Sequence, residues 1–421
     1  MAQRADLSTL DGAQHVDAGL DYNPFIPPQR DNPFPFYDRS RREAPVAWSS
    51  VLQTWVVSRH DDILAILDDP RRFSSRNAIP DLWQNPPEVV EILREGCRPN
   101  ASTVVNADPP DHTRMRKVLN RAFSSRRINA MVPAVRRIAD ELIDAFSSAG
   151  SADLIAGYAD PIPRIVISRL LGIPREDMAR VDAWTNDLVT LWTPVAPLPA
   201  KIAAARGMVE YEKYLQAMID ARRQSPRDDI LSDLIHGHGD DLEPLTEGEL
   251  VYFFRGVRLA GQDTTTGLIG NALLNLLRDR SLWDGVCQDR SRIPAIIEES
   301  MRRDAPHRGL MRITTEEVEI GGVRLPAQTP LLLLFGSANR DPERFPEPDR
   351  FITARPNVSD HVAFGKGIHF CSGAHIARVE ARIAIEALAE RLPGLRLEAE
   401  YTPTYIPSQL FLVPERLPVT W

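Results

Sequence analysis

The residues best placed to do chemistry lie in one stretch, Phe364-Gly365-Lys366-Gly367-Ile368-His369-Phe370-Cys371-Ser372-Gly373, with a helical run from Ala374 to Leu392 directly behind it. Gly365 and Gly367 let the backbone take conformations closed to other residues and pass close to a flat object. A large planar cofactor suits such a loop. Cys371 falls at the N-terminal mouth of the helix, where unpaired amides and the helix dipole favour a thiolate, the form a metal binds. Two plainer readings stand beside this one. A cysteine in an intracellular chain is by default a small buried hydrophobe. His369, Cys371 and His375 are also close enough in sequence to suggest zinc, but no fourth ligand is near and structural zinc sites usually bring paired cysteines. Neither accounts for the glycines.

Three further stretches must position whatever this loop holds. Thr246 to Asp279 is the longest helical pattern, about 50 Å if unbroken, and Thr246 with Glu249 forms a capping box at its start. On it Phe253, Gly256 or Val257, Ala260 and Thr264 recur at helical spacing, and Ala260-Gly261-Gln262-Asp263-Thr264-Thr265 stands at the middle. A glycine there costs up to about 1 kcal/mol. Either the interruption serves a function, or a threonine bonds back to a carbonyl four residues earlier and bends the helix harmlessly. Asp108-Pro109-Pro110-Asp111-His112 reads as a helix start with prolines in its first turn, and it places His112 and Arg116 on one face. Such a pair alone is most often a solvated one. Ile293–Asp304 is a helix carrying Glu299 and Arg302, spaced for a structural ion pair.

Together these stretches resemble the cytochrome P450 family. The loop matches its haem-binding signature F-x-x-G-x-H/R-x-C-x-G through Phe364, Gly367, His369, Cys371 and Gly373; Ala260 to Thr265 matches A-G-x-D/E-T-T; Glu299 to Arg302 matches E-x-x-R; and the segment from Asp108 is similar to the family's C helix. The resemblance covers roughly residues 40 to 421. It implies a mainly α-helical fold with a smaller β-rich lobe, and haem b (iron protoporphyrin IX) ligated by the Cys371 thiolate. Phe364, Gly365 and His369 would contact the cofactor, with His112, Arg116 and Arg312 at its propionates. Arg350 would join Glu299 and Arg302. Asp263 and Thr264 would relay protons for cleavage of O2 in a monooxygenase. The substrate, a small apolar or aromatic organic molecule, would be hydroxylated or O-dealkylated among Gly256, Leu259, Ala260, His307, Arg308, Leu410 and Phe411. Arg308 would either bind a carboxylate on that molecule or turn away to a protein partner, because a lone buried guanidinium is costly. Relatives that use peroxide resemble Arg-Pro at the distal pair, so Asp263-Thr264 speaks against a peroxygenase. A non-catalytic haem-thiolate sensor would need no proton relay.

Composition sets the remaining expectations. The chain has 421 residues, 43% hydrophobic and 26% charged, as in an ordinary globular protein, and its net charge of −8 without a basic stripe argues against nucleic acid. Three cysteines suggest no disulfide framework, and residues 1–19 hold no signal or membrane anchor, so a reducing, cytoplasmic setting is expected. The 35 prolines are scattered. We therefore expect a proline-rich, extended lead over 1–36 and a single domain over 37–421, probing no membrane and acting as a monomer. Electrons would come from a separate ferredoxin-type or flavodoxin-type donor docking near Lys366, Arg114 and Lys117. Strands are expected at Val46–Ser49, Thr54–Ser58, Arg312–Thr315, Val318–Ile320 and Leu331–Phe335, helices at His60–Leu67, Arg127–Ser148, Ile162–Leu171 and Lys201–Arg223, with 191–199 a proline-broken loop and an apolar run at Gln409–Val413.

Overall fold

A computed structural model describes residues 21–421 except 80, 99–100, 194–195 and 238–242. Its helices are α1 (Phe34–Glu43), α2 (His60–Asp68), α3 (Pro87–Gly96), α4 (Asp111–Ala122), α5 (Ser125–Phe146), α6 (Pro161–Leu170), α7 (Met178–Trp192), α8 (Leu198–Gln224), α9 (Ile230–His236), α10 (Glu247–Arg278), α11 (Arg280–Gln288), α12 (Ile293–Arg303), α13 (Phe335–Ala338) and α14 (Ala374–Arg391). The strands are short: β1 (Val46–Ser49), β2 (Thr54–Val57), β3 (Phe73–Ser74), β4 (Ser151–Asp153), β5 (Leu310–Thr314), β6 (Val318–Ile320), β7 (Val323–Leu325), β8 (Pro330–Leu333), β9 (Arg396–Leu397) and β10 (Pro418–Thr420). Five of them form one sheet in the order β1-β2-β8-β5-β3. Only β2 and β8 run parallel there, with Trp55 opposite Leu331. Three make a second small sheet, β4-β10-β9.

α10 is the axis of the helical body. Its capping box forms, Glu249 N–H donating to Thr246 Oγ1 at 3.2 Å and Thr246 N–H to the Glu249 carboxylate at 2.8 Å. Its second half, Thr265 to Leu277, is buried on every side, which is why that stretch shows no polar face. α14 and α12 pack against it, and one continuous core joins α5, α6, α8, α10 and α14. A separate apolar cluster lies beneath the large sheet, built from Val57, Leu331 and Leu333 together with Ile63 and Ile66 of α2.

Several expectations need correction. Residues 1–20 of the lead lie outside the described residues, and from 21 on it is not extended: 24–31 is turned, Tyr22 is buried against Phe36, and α1 starts at Phe34 with Pro35 in its first turn, where proline is tolerated. In α4 the prolines precede the helix, Pro110 being its N-cap. α3 and α7 are helices where none was expected. Asn85-Pro86-Pro87 disguises the start of α3, and Thr185 occupies a core position of α7 by bonding back to Val181 O at 2.9 Å, so its apolar stripe is broken in sequence. Leu191 and Trp192 belong to α7, leaving a shorter loop whose Pro194 and Val195 fall outside the described residues. Gln409–Val413 makes only isolated bridges, His307 to Phe411 and Tyr405 to Pro414 at its edge.

Candidate active site

The loop before α14 is shaped by its glycines. Gly365 and Gly367 have φ of +71° and +65°, the left-handed region where a side chain is strained. A Cβ on Gly367 would also stand 2.7 Å from Leu67 O. The turn is closed by Cys371 N–H donating to Phe364 O at 2.9 Å and Phe370 N–H to Gly367 O at 3.1 Å. Phe364 is clamped by the Arg378 guanidinium, 4.4 Å from its ring centre, and Arg378 is held in turn by Glu298 at 2.6 and 2.8 Å. Cys371 is accessible although protein surrounds it. It opens onto space inside the molecule, beside Ile368 and Phe370, which are 37% and 42% exposed.

Burial pushes the Cys371 thiol up, against the amides of Gly373 and Ala374 and the guanidiniums of Arg116 and Arg378. The helix mouth alone therefore does not secure the thiolate that the sequence suggested. A coordinated metal would, since it deprotonates a thiol outright. Zinc is not what these residues hold: His375 Nε2 lies 3.0 Å from Asn129 Oδ1, and His369 is engaged elsewhere. Among the described residues no group of three or more His, Cys, Asp or Glu side chains could hold a metal ion.

Basic groups gather at one rim of this space. His112 is buried, its Nε2 has no hydrogen-bond partner, and its ring centre is 4.3 Å from that of His369. Arg116 is close enough to interact with Cys371. Arg312, 3% exposed, is pushed down to about 10 by burial and makes one bond, to Met311 O at 2.7 Å. Neither arginine forms an ion pair among the described residues, although the Asp108 carboxylate is near enough to act on Arg312. Buried guanidiniums without anions are costly, so this rim fits the two propionates of a haem. His369 differs from the expectation. Its Nδ1 faces Val104 O at 3.1 Å and its Nε2 faces Ser75 Oγ at 2.9 Å, so both nitrogens brace the loop against neighbouring segments. Sequence reasoning missed Ser75 and also Asp108, which takes Ser75 N–H at 2.9 Å. Asp108 opens the stretch that resembles the C helix but reads there only as a helix start, and no local motif signals Ser75.

The middle of α10 opens inward too. Ala260 is exposed in mid-helix, Gly256 and Gly261 to Thr264 are partly accessible, and a Cβ on Gly256 would meet nothing within 4 Å. Leu259 instead packs into the core. The helix is unbroken: Thr264 Oγ1 donates to Ala260 O at 2.6 Å, and Gly261 is small because Ile167 of α6 would stand 3.2 Å from its Cβ. Asp263 makes no hydrogen bond among the described residues. Burial, reinforced by the Asp160 carboxylate and opposed by Arg258, pushes it up to about 7. A polar circuit stands beside it. Arg258 pairs with Asp182 and donates to Gln262 at 2.6 Å, Gln262 donates to Asp160 at 3.1 Å, and Arg164 lies 3.4 Å from both acids. These residues come from three helices, which is why the sequence did not reveal them.

Of the two alternatives for Arg308, the structure shows protein partners: it is buried and donates to the carbonyls of Phe411 at 2.9 Å and Arg30 at 2.5 Å, tying down the N-terminal segment. Arg350 is 69% exposed and pairs with Glu347. Arg355 takes its place, lying 3.2 Å from the Glu299 carboxylate, which accepts two 2.8 Å bonds from Arg302. Arg350 contributes only its carbonyl, 3.2 Å from both Arg302 and Arg355. Leu410 and Phe411 are buried, and Phe411 stacks edge-on to His307 at 5.5 Å.

A helical body with an inward-facing thiol in a glycine-shaped loop, a rim of unpaired bases and an acid–alcohol pair on its central helix is the architecture of a haem-thiolate protein. The chain belongs to the cytochrome P450 family: the family model "Cytochrome P450" matches residues 87–412. Cytochrome P450 107B1 of Saccharopolyspora erythraea is 39% identical over 83% of this chain and 84% of its own. Cytochrome P450 monooxygenase PikC of Streptomyces venezuelae is 36% identical over 93% and 91%. Cytochrome P450 CREJ, solved in complex with (4-ethylphenyl) dihydrogen phosphate, superposes with a TM-score of 0.89 at 31% identity, covering 95% of this chain and 99% of that one. The chain is thus an oxidoreductase of the monooxygenase type, and the family implies a haem-thiolate cofactor, a small-molecule substrate, O2 and a source of electrons. No helix among the described residues is long and apolar enough to cross a membrane.

Proposed function

We propose that the protein binds haem b through Cys371 and hydroxylates or O-dealkylates a small apolar or aromatic molecule, taking two electrons from a separate ferredoxin-type or flavodoxin-type donor. The observation that carries this reading is the accessible Cys371 thiol facing inward beside the unpaired His112, Arg116 and Arg312. When bound, haem supplies the oxygen chemistry: one atom of O2 enters the substrate and the other leaves as water, with two protons consumed.

The chain's own residues do the rest. Cys371 would hold the iron as a thiolate, and the amides of Gly373 and Ala374 with the guanidiniums of Arg116 and Arg378 favour that charged form. His112 Nε2, Arg116 and Arg312 would hold the cofactor by its propionates through charge-assisted hydrogen bonds. Phe364, pinned by Arg378, and Gly365 give the loop its close approach, while His369 holds it in register. Asp263, poised near neutrality, keeps a proton at its carboxyl that the Thr264 hydroxyl passes inward once it turns from Ala260 O. A group titrating near the working pH suits that task. The acid–alcohol pair favours the O2 route over a peroxide route. Gly256 and Ala260 leave room for the substrate beside α10, and an aromatic body is in keeping with the aryl compound in the CREJ complex.

The test is spectroscopic. Reduced protein exposed to carbon monoxide is expected to show the red-shifted Soret band of thiolate ligation, and Cys371→Ala is expected to lose it. Persistence of that band in the alanine variant overturns the assignment.

A further inference from the structure

We propose that His307 determines specificity: its imidazole hydrogen-bonds a neutral hydroxyl on an otherwise apolar substrate. The inference rests on the reading above and names the polar group of the molecule that site accepts.

The segment bearing His307 is anchored at both ends of the site. At one end Pro306 lies against α10, where a Cβ on Gly267, one turn beyond Thr264, would stand 2.8 Å from the proline side chain. At the other, Arg312 is near enough to His369 to influence it. Residues 306–312 therefore run from the acid–alcohol pair to the rim of basic groups, and His307 sits near the α10 end. Leu412 N–H donating to Pro306 O at 2.8 Å and Arg308 N–H to Leu410 O at 2.7 Å fix the segment. The imidazole is packed by Phe335 and Phe411, with ring centres 6.2 and 5.5 Å away.

Among the described residues no side chain hydrogen-bonds this ring, and the backbone of Gly309 is the polar group that acts on it. Its Nδ1 is sealed from solvent without a partner, while the residue as a whole stays partly accessible although protein surrounds it. Like Cys371 and Asp263, it opens onto internal space. With Nδ1 sealed, Nε2 is the nitrogen left for a ligand, and a ligand that hydrogen-bonds it gains over one that takes it out of water unpaired. The charge of that ligand follows from the surroundings. Burial holds the ring neutral, down to about 4, the adjacent Arg308 is committed to backbone carbonyls, and Arg116 and Arg312 stand at the rim assigned to the propionates, away from the α10 end where His307 sits. A neutral imidazole offers one donor and one acceptor. A hydroxyl, which both donates and accepts, pairs with Nε2 in either tautomer. A carboxylate would be stranded without a counter-ion.

Matched pairs separate this from mere apolar filling: 4-ethylphenol, 4-propylphenol and 4-phenylphenol, each against its methyl ether, titrated into the holoenzyme by the low-to-high-spin shift of the haem. Each phenol is expected to bind about 3- to 10-fold more tightly than its ether, the range of one neutral buried hydrogen bond. In His307→Leu the ratio is expected to fall to about one, and in His307→Gln, whose amide also donates and accepts, to stay above about two. A parent ratio of one, or a ratio unchanged in His307→Leu, overturns the role of His307 and leaves the pocket reading standing. A parent that responds to no member of any pair overturns the pocket reading itself, and the inference with it.

Discussion

At Asp263 burial and the Asp160 carboxylate act in the same direction, and the resulting value near 7 has consequences for both stability and turnover. A carboxyl raised in the folded state binds more protons there than in the unfolded chain, so its contribution is harmless below about pH 4 and destabilising above 7. Asp263→Asn, which cannot ionise, is therefore expected to match the parent in unfolding temperature at pH 4 and exceed it at pH 8. The gain should be about 2 kcal/mol, smaller than the full shift because the group is partly accessible. Equal gaps at both pH values contradict the raised value. The same proton leaves as pH rises through 7, so product formed per electron should fall over that interval in the parent and not in the asparagine variant. Thr264→Ala is expected to lower product per electron roughly tenfold while haem content stays unchanged. Tight coupling in that variant removes the hydroxyl from the relay.

Between elements, the Glu299 carboxylate joins α12 to the segment before the Cys371 loop. Glu299 and Arg302 are both 0% exposed, and Arg355 reaches the same carboxylate from the loop side, together with the amide of Ile352 at 2.9 Å. Removing one partner from a buried charge cluster costs about 3–5 kcal/mol. Arg355→Leu should show a loss of that size in denaturant midpoint, whereas Arg350→Leu, on the surface, should stay within about 0.5 kcal/mol. If the two variants unfold alike, the cluster is not built as described. α10 carries the complementary constraint. Its polar circuit with Asp160, Arg164 and Asp182 binds α6 and α7 to the helix face next to Asp263, and so sets the field that the acid feels.

Over the whole molecule the chain is −8, so exposed lysines near the Cys371 loop are set against an acidic background. Lys366 and Lys117 are exposed there. Arg114, expected to join them, is turned inward to Glu249 and to Pro244 O at 3.3 Å. An acidic electron donor should therefore dock on the two lysines. Lys366→Glu together with Lys117→Glu is expected to slow reduction by an acidic ferredoxin at least tenfold at low salt and to flatten its salt dependence, as for steered encounters. Stopped-flow reduction at two ionic strengths checks it, and rates indifferent to both changes move the docking face elsewhere.

Much of this was written locally. A left-handed turn needs glycine, a capped helix needs its threonine and glutamate, and a thiolate ligand needs its cysteine, so Gly365, Gly367, Thr246, Glu249 and Cys371 could be placed from adjacent residues alone. The long α10 and the E-x-x-R pair were legible for the same reason, their partners lying three or four residues apart. What the tertiary structure decided was which distant group meets which charge. Arg308 finds backbone carbonyls of the N-terminal segment and of Phe411, Arg355 and not Arg350 reaches Glu299, Ser75 and Val104 occupy His369, and burial together with Asp160 lifts Asp263. Long side chains such as arginine reach several candidates, and only packing chooses among them, because an unpaired charge or nitrogen matters only once burial has removed the water that would otherwise satisfy it.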